Sequence, residues 1–439
     1  METTARQAAL AALERCRRDD AWSGASIDNV IKKYSLDRRD AALASRLCLG
    51  VLQNSRFCDF YIDLYRDKGG AGLEPKLRDI LRLGVYQLLF LDKIPARAAV
   101  SESVALSRAA GFGRASGLVN AVLRKVSDNI GSLPDIPGKG SAEYLSIKYS
   151  HPLWLVKRII SEHDYSFAEA FFAANNSPPG LTIQVNKLKV SPDAYRRALI
   201  RAEIPFTDTG LSGCLRIERG VVAALPGFEE GLFYVQDKAA RTAVEIAAPR
   251  AGMKVLDACA APGGKSFAAA IAMVNKGEIL SCDIHEKKLS LIRSGAKRLG
   301  IDIIETMARD ARQPDSSRKG AFDLVIADVP CSGLGVIGKK PEIRNKKESE
   351  ISALPQIQRQ ILDNLSTFVK PGGLLLYSTC TVLPSENEEV AEGFLRDNPG
   401  YEPVGFSLGG ICAAQGMYTF WPHLDGTDGF FIAEMKRKY

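Results

Sequence analysis

A chain of 439 residues, 46% hydrophobic and 25% charged, is long enough for two or three domains and too apolar to be disordered. No run of 18 apolar residues occurs, which excludes a helical membrane protein, and residues 1–6 lack the apolar stretch of a signal peptide, so a cytoplasmic protein is expected. The net charge of +7 is uneven: residues 1–130 carry 21 Lys and Arg against 15 Asp and Glu, and the remainder is near neutral, a distribution that suits a polyanionic partner.

Residues 1–130 carry no strong strand alternation and predict a helical bundle. Ala5–Arg17 places Ala8, Ala9, Ala12, Leu13 and Cys16 on one face. Helices follow over Leu77–Leu91, over Ala98–Ala109 after Pro95, and over Leu118–Lys125. The run Arg6-Gln7-Ala8-Ala9-Leu10, then Arg78-Asp79-Ile80-Leu81-Arg82 with Tyr86-Gln87-Leu88, then Glu102-Ser103-Val104 and Leu118–Leu123 resembles, in that order, the NusB family of RNA-binding helical domains.

Residues 131–150 hold Pro134, Pro137, Gly138 and Gly140 and predict a linker. Residues 151–235 predict a small α+β domain. It has a helix from His151-Pro152 that is broken at Asn175–Gly180, a strand at Thr182–Asn186, a helix at Tyr195–Ala202 and a strand at Phe233–Asp237.

From residue 236 to 439 strands and helices alternate. Strands are expected at Lys254–Asp257, Glu278–Asp283, Ile303–Ala308, Phe322–Asp328, Leu374–Ser378 and Phe430–Met435, giving a doubly wound α/β sheet. The first ends in Asp257-Ala258-Cys259-Ala260-Ala261-Pro262-Gly263-Gly264-Lys265. Strand, tight glycine turn and helix open a nucleotide-binding domain, where the backbone can approach a ligand closely. The spacing is neither G-x-G-x-x-G nor a P-loop, so a dinucleotide or a phosphate cradle is not indicated. An acidic strand end with a glycine turn suits a ligand with an ammonium and ribose hydroxyls, such as S-adenosylmethionine. Asp283, ending the second strand, can accept ribose hydroxyls, and Asp310, after the third, can reach an adenine amino group.

The fourth strand runs into Asp328-Val329-Pro330-Cys331-Ser332-Gly333, and the fifth into Thr379-Cys380-Thr381, so adjacent strand ends each present a thiol. Carbon 5 of a pyrimidine is a poor nucleophile. A thiolate added at carbon 6 makes it enamine-like, and a carboxyl group at ring nitrogen 3 assists the addition. The spacing leaves open which thiol attacks. The nine cysteines form no Cys-x-x-Cys pair and no zinc-spaced cluster, so no metal is expected, and Cys16, Cys48, Cys58, Cys214, Cys282 and Cys412 are expected to be buried filler.

The stretch Asp257–Lys265, Asp283, Asp310, Asp328–Gly333 and Ser378-Thr379-Cys380 is similar to the RNA 5-methylcytosine methyltransferase family. So are Pro384-Ser385-Glu386-Asn387-Glu388 and Asp428-Gly429-Phe430-Phe431. The small α+β segment resembles the one preceding the catalytic domain in that family, which often has Arg where this chain has Gln184 and an acid where it has Lys238. The resemblance implies three domains: an all-α NusB-like bundle, a small α+β domain and a Rossmann-like methyltransferase domain at 236–439. It implies Cys380 as nucleophile, Cys331 as an aid to product release and Asp328 at the cytosine. Cys259, Ala260, Ala261, Pro262, Gly263, Gly264, Lys265, Asp283, Asp310 and Asp328 would hold S-adenosylmethionine, with Lys265 also facing the substrate. The implied partner is RNA, 16S ribosomal RNA by the NusB-like front end, naked or in an early small-subunit particle, acted on by a monomer. A transfer RNA substrate and a non-catalytic assembly factor are the rival readings. The run Gly338–Lys347, with five basic residues, is expected to hold phosphates beside the site.

Overall fold

The structure, a computed structural model, describes residues 3–18, 23–66, 72–178 and 180–439. Met1, Glu2 and Pro179 lie outside the described residues. The chain divides into two compact units, one of residues 1–177 with 337–348 and one of 178–336 with 349–439.

The first unit is helical. Ala5–Arg18, Ser23–Tyr34, Arg38–Gln53, Ser55–Tyr65, Pro75–Phe90, Ala96–Ala109 and Ser116–Asp128 share one core. The expected face of the first helix, Ala8, Ala9, Ala12, Leu13 and Cys16, is buried in it. Not all of the basic charge here is available to a partner. Arg82 pairs with Asp59 (2.6 Å) and with the buried Asp79 (2.9 Å), Arg17 also reaches Asp79 (3.1 Å), and Arg78 forks onto Asp63. Expectation and structure differ at two places. Residues 131–150 contain a helix, Ala142–Lys148, capped by the Ser141 side chain and anchored by the buried Leu145. The single helix expected after His151 is two, Leu153–Glu162 and Tyr165–Asn176, because Asp164 caps a new N-terminus by accepting from the Phe167 N–H.

The basic run is a larger correction. Residues 337–348 leave the second unit and pack within the first. Arg344 is 1% exposed and donates to the carbonyls of Gln53 (2.8 Å), Tyr149 (2.8 Å) and Asn175 (3.1 Å). Glu342 accepts from both the N–H and the hydroxyl of Ser23 (3.1 and 2.6 Å), and Trp154 Nε1 donates to the Lys346 carbonyl. Arg344 is therefore a structural tie and offers no phosphate contact, whereas Lys339, Lys340 and Lys347 are exposed.

The second unit holds fourteen strands among its described residues: β1 (Leu181–Val185), β2 (Phe206–Asp208), β3 (Cys214–Ile217), β4 (Phe233–Val235), β5 (Lys254–Asp257), β6 (Glu278–Asp283), β7 (Ile304–Ala308), β8 (Phe322–Asp328), β9 (Val369–Thr379), β10 (Tyr401–Pro403), β11 (Phe406–Leu408), β12 (Ile411–Ala413), β13 (Met417–Phe420) and β14 (Phe430–Arg437). The first four form an antiparallel sheet in the order β2-β3-β1-β4. The large sheet runs β10-β14-β9-β8-β5-β6-β7, with β13 beside β14. β5 to β9 are parallel and β14 is antiparallel to β9, so the sheet is mixed. Successive residues point into opposite cores. Val255, Leu324 and Leu376 join the core of helices Lys238–Ala247, Gly264–Ala272 and Glu286–Leu299. Leu256, Val325 and Leu375 join that of helices Leu354–Ser366 and Glu388–Asp397. Burial on both faces is why these strands read as continuous apolar runs.

β9 begins five residues before the expected Leu374. Lys370-Pro371-Gly372-Gly373 reads as a turn, yet the strand passes through it with a register irregularity against β8 and Gly372 at φ +76°. No helix among the described residues is long and apolar enough to cross a membrane.

Replacing Arg344 by Met should leave the Gln53 and Asn175 carbonyls without its guanidinium, while the Tyr149 carbonyl keeps Asn176 Nδ2 (3.1 Å). The unfolding free energy of the first unit should fall by about 2–4 kcal/mol in urea titration. An unchanged midpoint would show that the segment carries no stability.

Candidate active site

Every residue singled out at the strand ends comes from the second unit. β5 delivers Asp257 into the interior. Its carboxylate is fully buried, accepts from Ser266 Oγ at 2.7 Å through Oδ2, and has no partner at Oδ1 among the described residues. Ser266 in turn meets Ser281 of β6 (2.7 Å). Burial pushes the Asp257 carboxyl up to about 7, against the lowering effect of Ser266. Asp257 therefore ties the glycine turn to the sheet from below. Ala260 N–H bonds the Cys282 carbonyl (2.7 Å), which pins the loop to β6. Gly263 sits at φ +112°, where a side chain would also strike the Phe267 ring, and the helix Gly264–Ala272 starts after it.

A cleft of about 380 Å³ opens at the carboxyl ends of the parallel strands. Cys259, Ala261, Asp283, Asp310 and Asp328 line it, together with Lys288, Arg309 and Ile361. Ala260, Pro262, Gly263, Gly264 and Lys265 are not among its lining residues. Asp283 Oδ1 accepts from the His285 N–H (2.8 Å). Asp310 is gripped by Arg312 (2.7 Å), whose hydrogen bonds hold the carboxyl below the usual carboxylate range. The donor set suits an adenosine: carboxylate oxygens for hydroxyls and an amino group, and apolar walls for a base. The Cys259 thiol is pushed well up by burial and by the surrounding acids, which fits a packing role rather than a reactive one.

Beside the cleft, β8 and β9 pair Asp328 with Ser378. Their following residues bring Cys331 Sγ to 3.2 Å from Cys380 Sγ, and the Cys380 N–H points at Cys331 Sγ (3.3 Å). Both thiols are partly exposed. Cys331 is pushed well above an ordinary thiol, first by its hydrogen bond to Cys380 and then by burial. Lys265 Nζ lies 2.7 Å from Asp328 Oδ2 and over the Phe430 ring (4.7 Å to its centre), while Ser378 Oγ donates to Asp328 Oδ1 (2.8 Å). Cation, carboxylate and two sulfurs thus converge at the ends of adjacent strands.

Several participants went unassigned in the sequence. Gln358 and Thr381 stood in no matched motif, and Ser378 and Ser332 stood in matched motifs without an assigned role. Glu386 and Asn387 stood in a matched motif, but only the fold shows them under the thiol loops. Cys412, expected to be buried, is exposed in the hairpin of β11 and β12, whereas Cys16, Cys48, Cys58, Cys214 and Cys282 are buried as expected. The neighbours Ile411 and Ala413 face the core, so Cys412, between them in the strand, faces the other way.

Sheet order, glycine turn and cleft define the class, a Rossmann-like methyltransferase domain behind a helical front end. The family described as 16S rRNA methyltransferase RsmB/F matches residues 244–436, the NusB family matches 3–128, and the ferredoxin-like domain of RsmF/B-type methyltransferases matches 151–223. A Bacillus subtilis protein named as a probable ribosomal RNA small subunit methyltransferase B is 34% identical, covering 100% of this chain and 99% of that protein. The Citrobacter koseri ribosomal RNA small subunit methyltransferase B is 33% identical over 94% of this chain and 95% of its own. The crystal structure of PH0851 superposes with a TM-score of 0.82 at 26% identity, covering 99% and 98%. The chain belongs to the ribosomal RNA small subunit methyltransferase B family.

The buried acids set a pH dependence. Folded Asp257 keeps its proton up to about pH 7, whereas the unfolded chain releases it near ~4. The folded state binds the extra proton, so stability falls as pH rises across that window and levels off above it. Glu434, raised to about 7 by burial, adds a slope of the same sign. Asp257→Asn should therefore gain stability relative to the parent as pH rises from about 4 to 7, read by urea titration at each pH. A pH-independent difference would contradict the assignment.

Proposed function

We propose that the protein methylates carbon 5 of a cytosine in RNA, with S-adenosylmethionine as donor and Cys380 as nucleophile, and that the RNA is 16S ribosomal RNA. The observation that carries the reading is the sulfur pair at 3.2 Å, set against the Lys265–Asp328 pair. Twin thiols at this spacing have no use in methyl transfer to an oxygen or an exocyclic nitrogen. A ring carbon requires one thiolate for the addition, and a second thiol beside it can assist release.

Asp283, Asp310 and the Cys259–Lys265 turn would hold the donor, which when bound supplies an electrophilic methyl group on a sulfonium. Cys380 as thiolate adds to carbon 6 of the flipped-out base, forming an S–C6 bond and making carbon 5 nucleophilic. Asp328, fixed by Ser378 and Lys265, hydrogen-bonds the ring at nitrogen 3 and stabilises the adduct. After carbon 5 is methylated it must lose its proton, which passes to solvent. The C5–H electrons then rebuild the C5–C6 double bond, and the S–C6 pair returns to Cys380. Cys331, against Cys380, assists that release.

The names of the relatives and the NusB match support the small-subunit RNA as substrate. The three family matches support a bundle at 1–130, a small α+β domain at 151–235 and a methyltransferase domain at 236–439 along the chain, although residues 131–177, with the helix Ala142–Lys148, pack in the helical unit.

Bisulfite sequencing of ribosomal RNA with and without the protein should reveal one protein-dependent, conversion-resistant cytosine in the small-subunit RNA. A resistant cytosine found only in transfer RNA would move the substrate, and none in any RNA would refute the activity. Cys331→Ala should accumulate a covalent RNA adduct, visible as a denaturation-resistant band. Cys380→Ala should form none and lose turnover by at least about 10³-fold. The opposite pattern would exchange the two roles.

A further inference from the structure

The acid Glu386 lies in the turn Pro384–Glu386 and is 1% exposed. Nothing in the chemistry above uses it. Its Oε2 accepts from the Ser332 N–H (2.8 Å) and from Gln358 Nε2 (2.9 Å). Gln358 Nε2 also donates to the Pro330 carbonyl (3.1 Å) and is itself fully buried. Ser332 and Pro330 are the two neighbours of Cys331. One carboxylate oxygen thus holds both sides of the Cys331 peptide, once directly and once through an amide.

The next residue repeats the pattern on the other thiol. Asn387 accepts from Thr379 Oγ1 (2.6 Å) and donates to the Thr381 carbonyl (3.1 Å). Thr379 and Thr381 flank Cys380. The two loops are also joined directly, Ser332 Oγ to Thr381 Oγ1 at 2.7 Å. Glu386 is held in turn by Tyr377 OH on its carbonyl (2.6 Å). Adjacent residues of one turn therefore set where each sulfur stands.

We propose that Glu386 is a positioning residue for the release step: through Ser332 and Gln358 it fixes the Cys331 thiol against Cys380, and without it the methylated adduct is formed but released slowly. The proposal rests on the two-thiol reading above. A carboxylate is suited to the task because charge-assisted hydrogen bonds to N–H donors are short and roughly twice as strong as neutral ones. A glutamine can offer both donors only one neutral oxygen, so the two bonds lose their charge assistance. The buried negative charge is also one of the influences that keep Cys331 in its thiol form, after the Cys380 hydrogen bond and burial.

The test is Glu386→Gln in the full chain, alone and combined with Cys331→Ala, assayed with 16S ribosomal RNA and labelled S-adenosylmethionine. The expected result is a kcat about 10- to 100-fold lower with KM for RNA unchanged, and a covalent RNA adduct on Cys380. In the Cys331→Ala background the same change should cost less than about threefold more, since a residue acting through Cys331 has nothing left to position. Gln358→Met, which spares the acid, should shift both readouts the same way, and decides the matter if Glu386→Gln does not fold. Additive losses without adduct, or no loss, would overturn the proposal. If Cys331→Ala itself traps no adduct, the two-thiol reading falls and takes this one with it. An adduct in Cys331→Ala and none in Glu386→Gln sinks the Glu386 role alone.

Discussion

The pairing of β8 with β9 is the constraint that builds the site. In this register Asp328 lies opposite Ser378, and within three residues the two chains present Cys331 and Cys380 with sulfurs 3.2 Å apart. A slip of two residues would displace one thiol by about 7 Å and end the contact. Both strands are buried on both faces, which fixes the register, since a slip would misplace every side chain in two cores at once. The loops beyond are then held by polar side chains as well as by the buried Val329, Leu334, Val382 and Leu383. Gly335 approaches Gly429 so closely that a Cβ would overlap its carbonyl, and the two share a backbone bond, Gly429 N–H to Gly335 O at 2.8 Å.

Electrostatics sort the site's titratable groups. Asp257, unpaired at one oxygen and pushed up by burial, is an anchor beneath the glycine turn. Asp310 is kept ionised by Arg312, and Asp328 is shared between a cation and a hydroxyl. Asp310, at the cleft, is held in its charged form, while Asp257, inside the fold, is pushed toward its neutral one. The same logic places Cys259, pushed up and set among acids, outside the chemistry, although it lies nearer the cleft than a sequence motif can tell.

Much of this was legible in the residues. β5, β6 and β8 have the expected ends because each carries a buried apolar stretch, Val255-Leu256, Ile279-Leu280 or Leu324–Ala327, that leads to a terminal acid. The two thiols and the strand-end acids could be found by inspecting the residues just past each run. The features that could not be read depend on long-range partners. Lys370-Pro371-Gly372-Gly373 has turn composition, and only pairing with β8 draws it into β9. The basic run at 338–347 looked like a phosphate clamp because composition cannot show that Arg344 is consumed by three carbonyls more than 160 residues away in sequence. Glu386 and Asn387 lie a few residues past Cys380, but their hold on the thiol loops exists only once those loops meet.

The central claim is that Cys380 forms a bond to carbon 6 of a cytosine. The most direct measurement uses ribosomal RNA carrying 5-fluorocytosine. Fluorine cannot leave carbon 5 as a cation, so the adduct cannot collapse and the S–C6 bond persists. Mass spectrometry of the digested complex should then find a nucleotide on the peptide that contains Cys380. A nucleotide on the Cys331 peptide instead, or methylated RNA with neither peptide modified, would contradict the account.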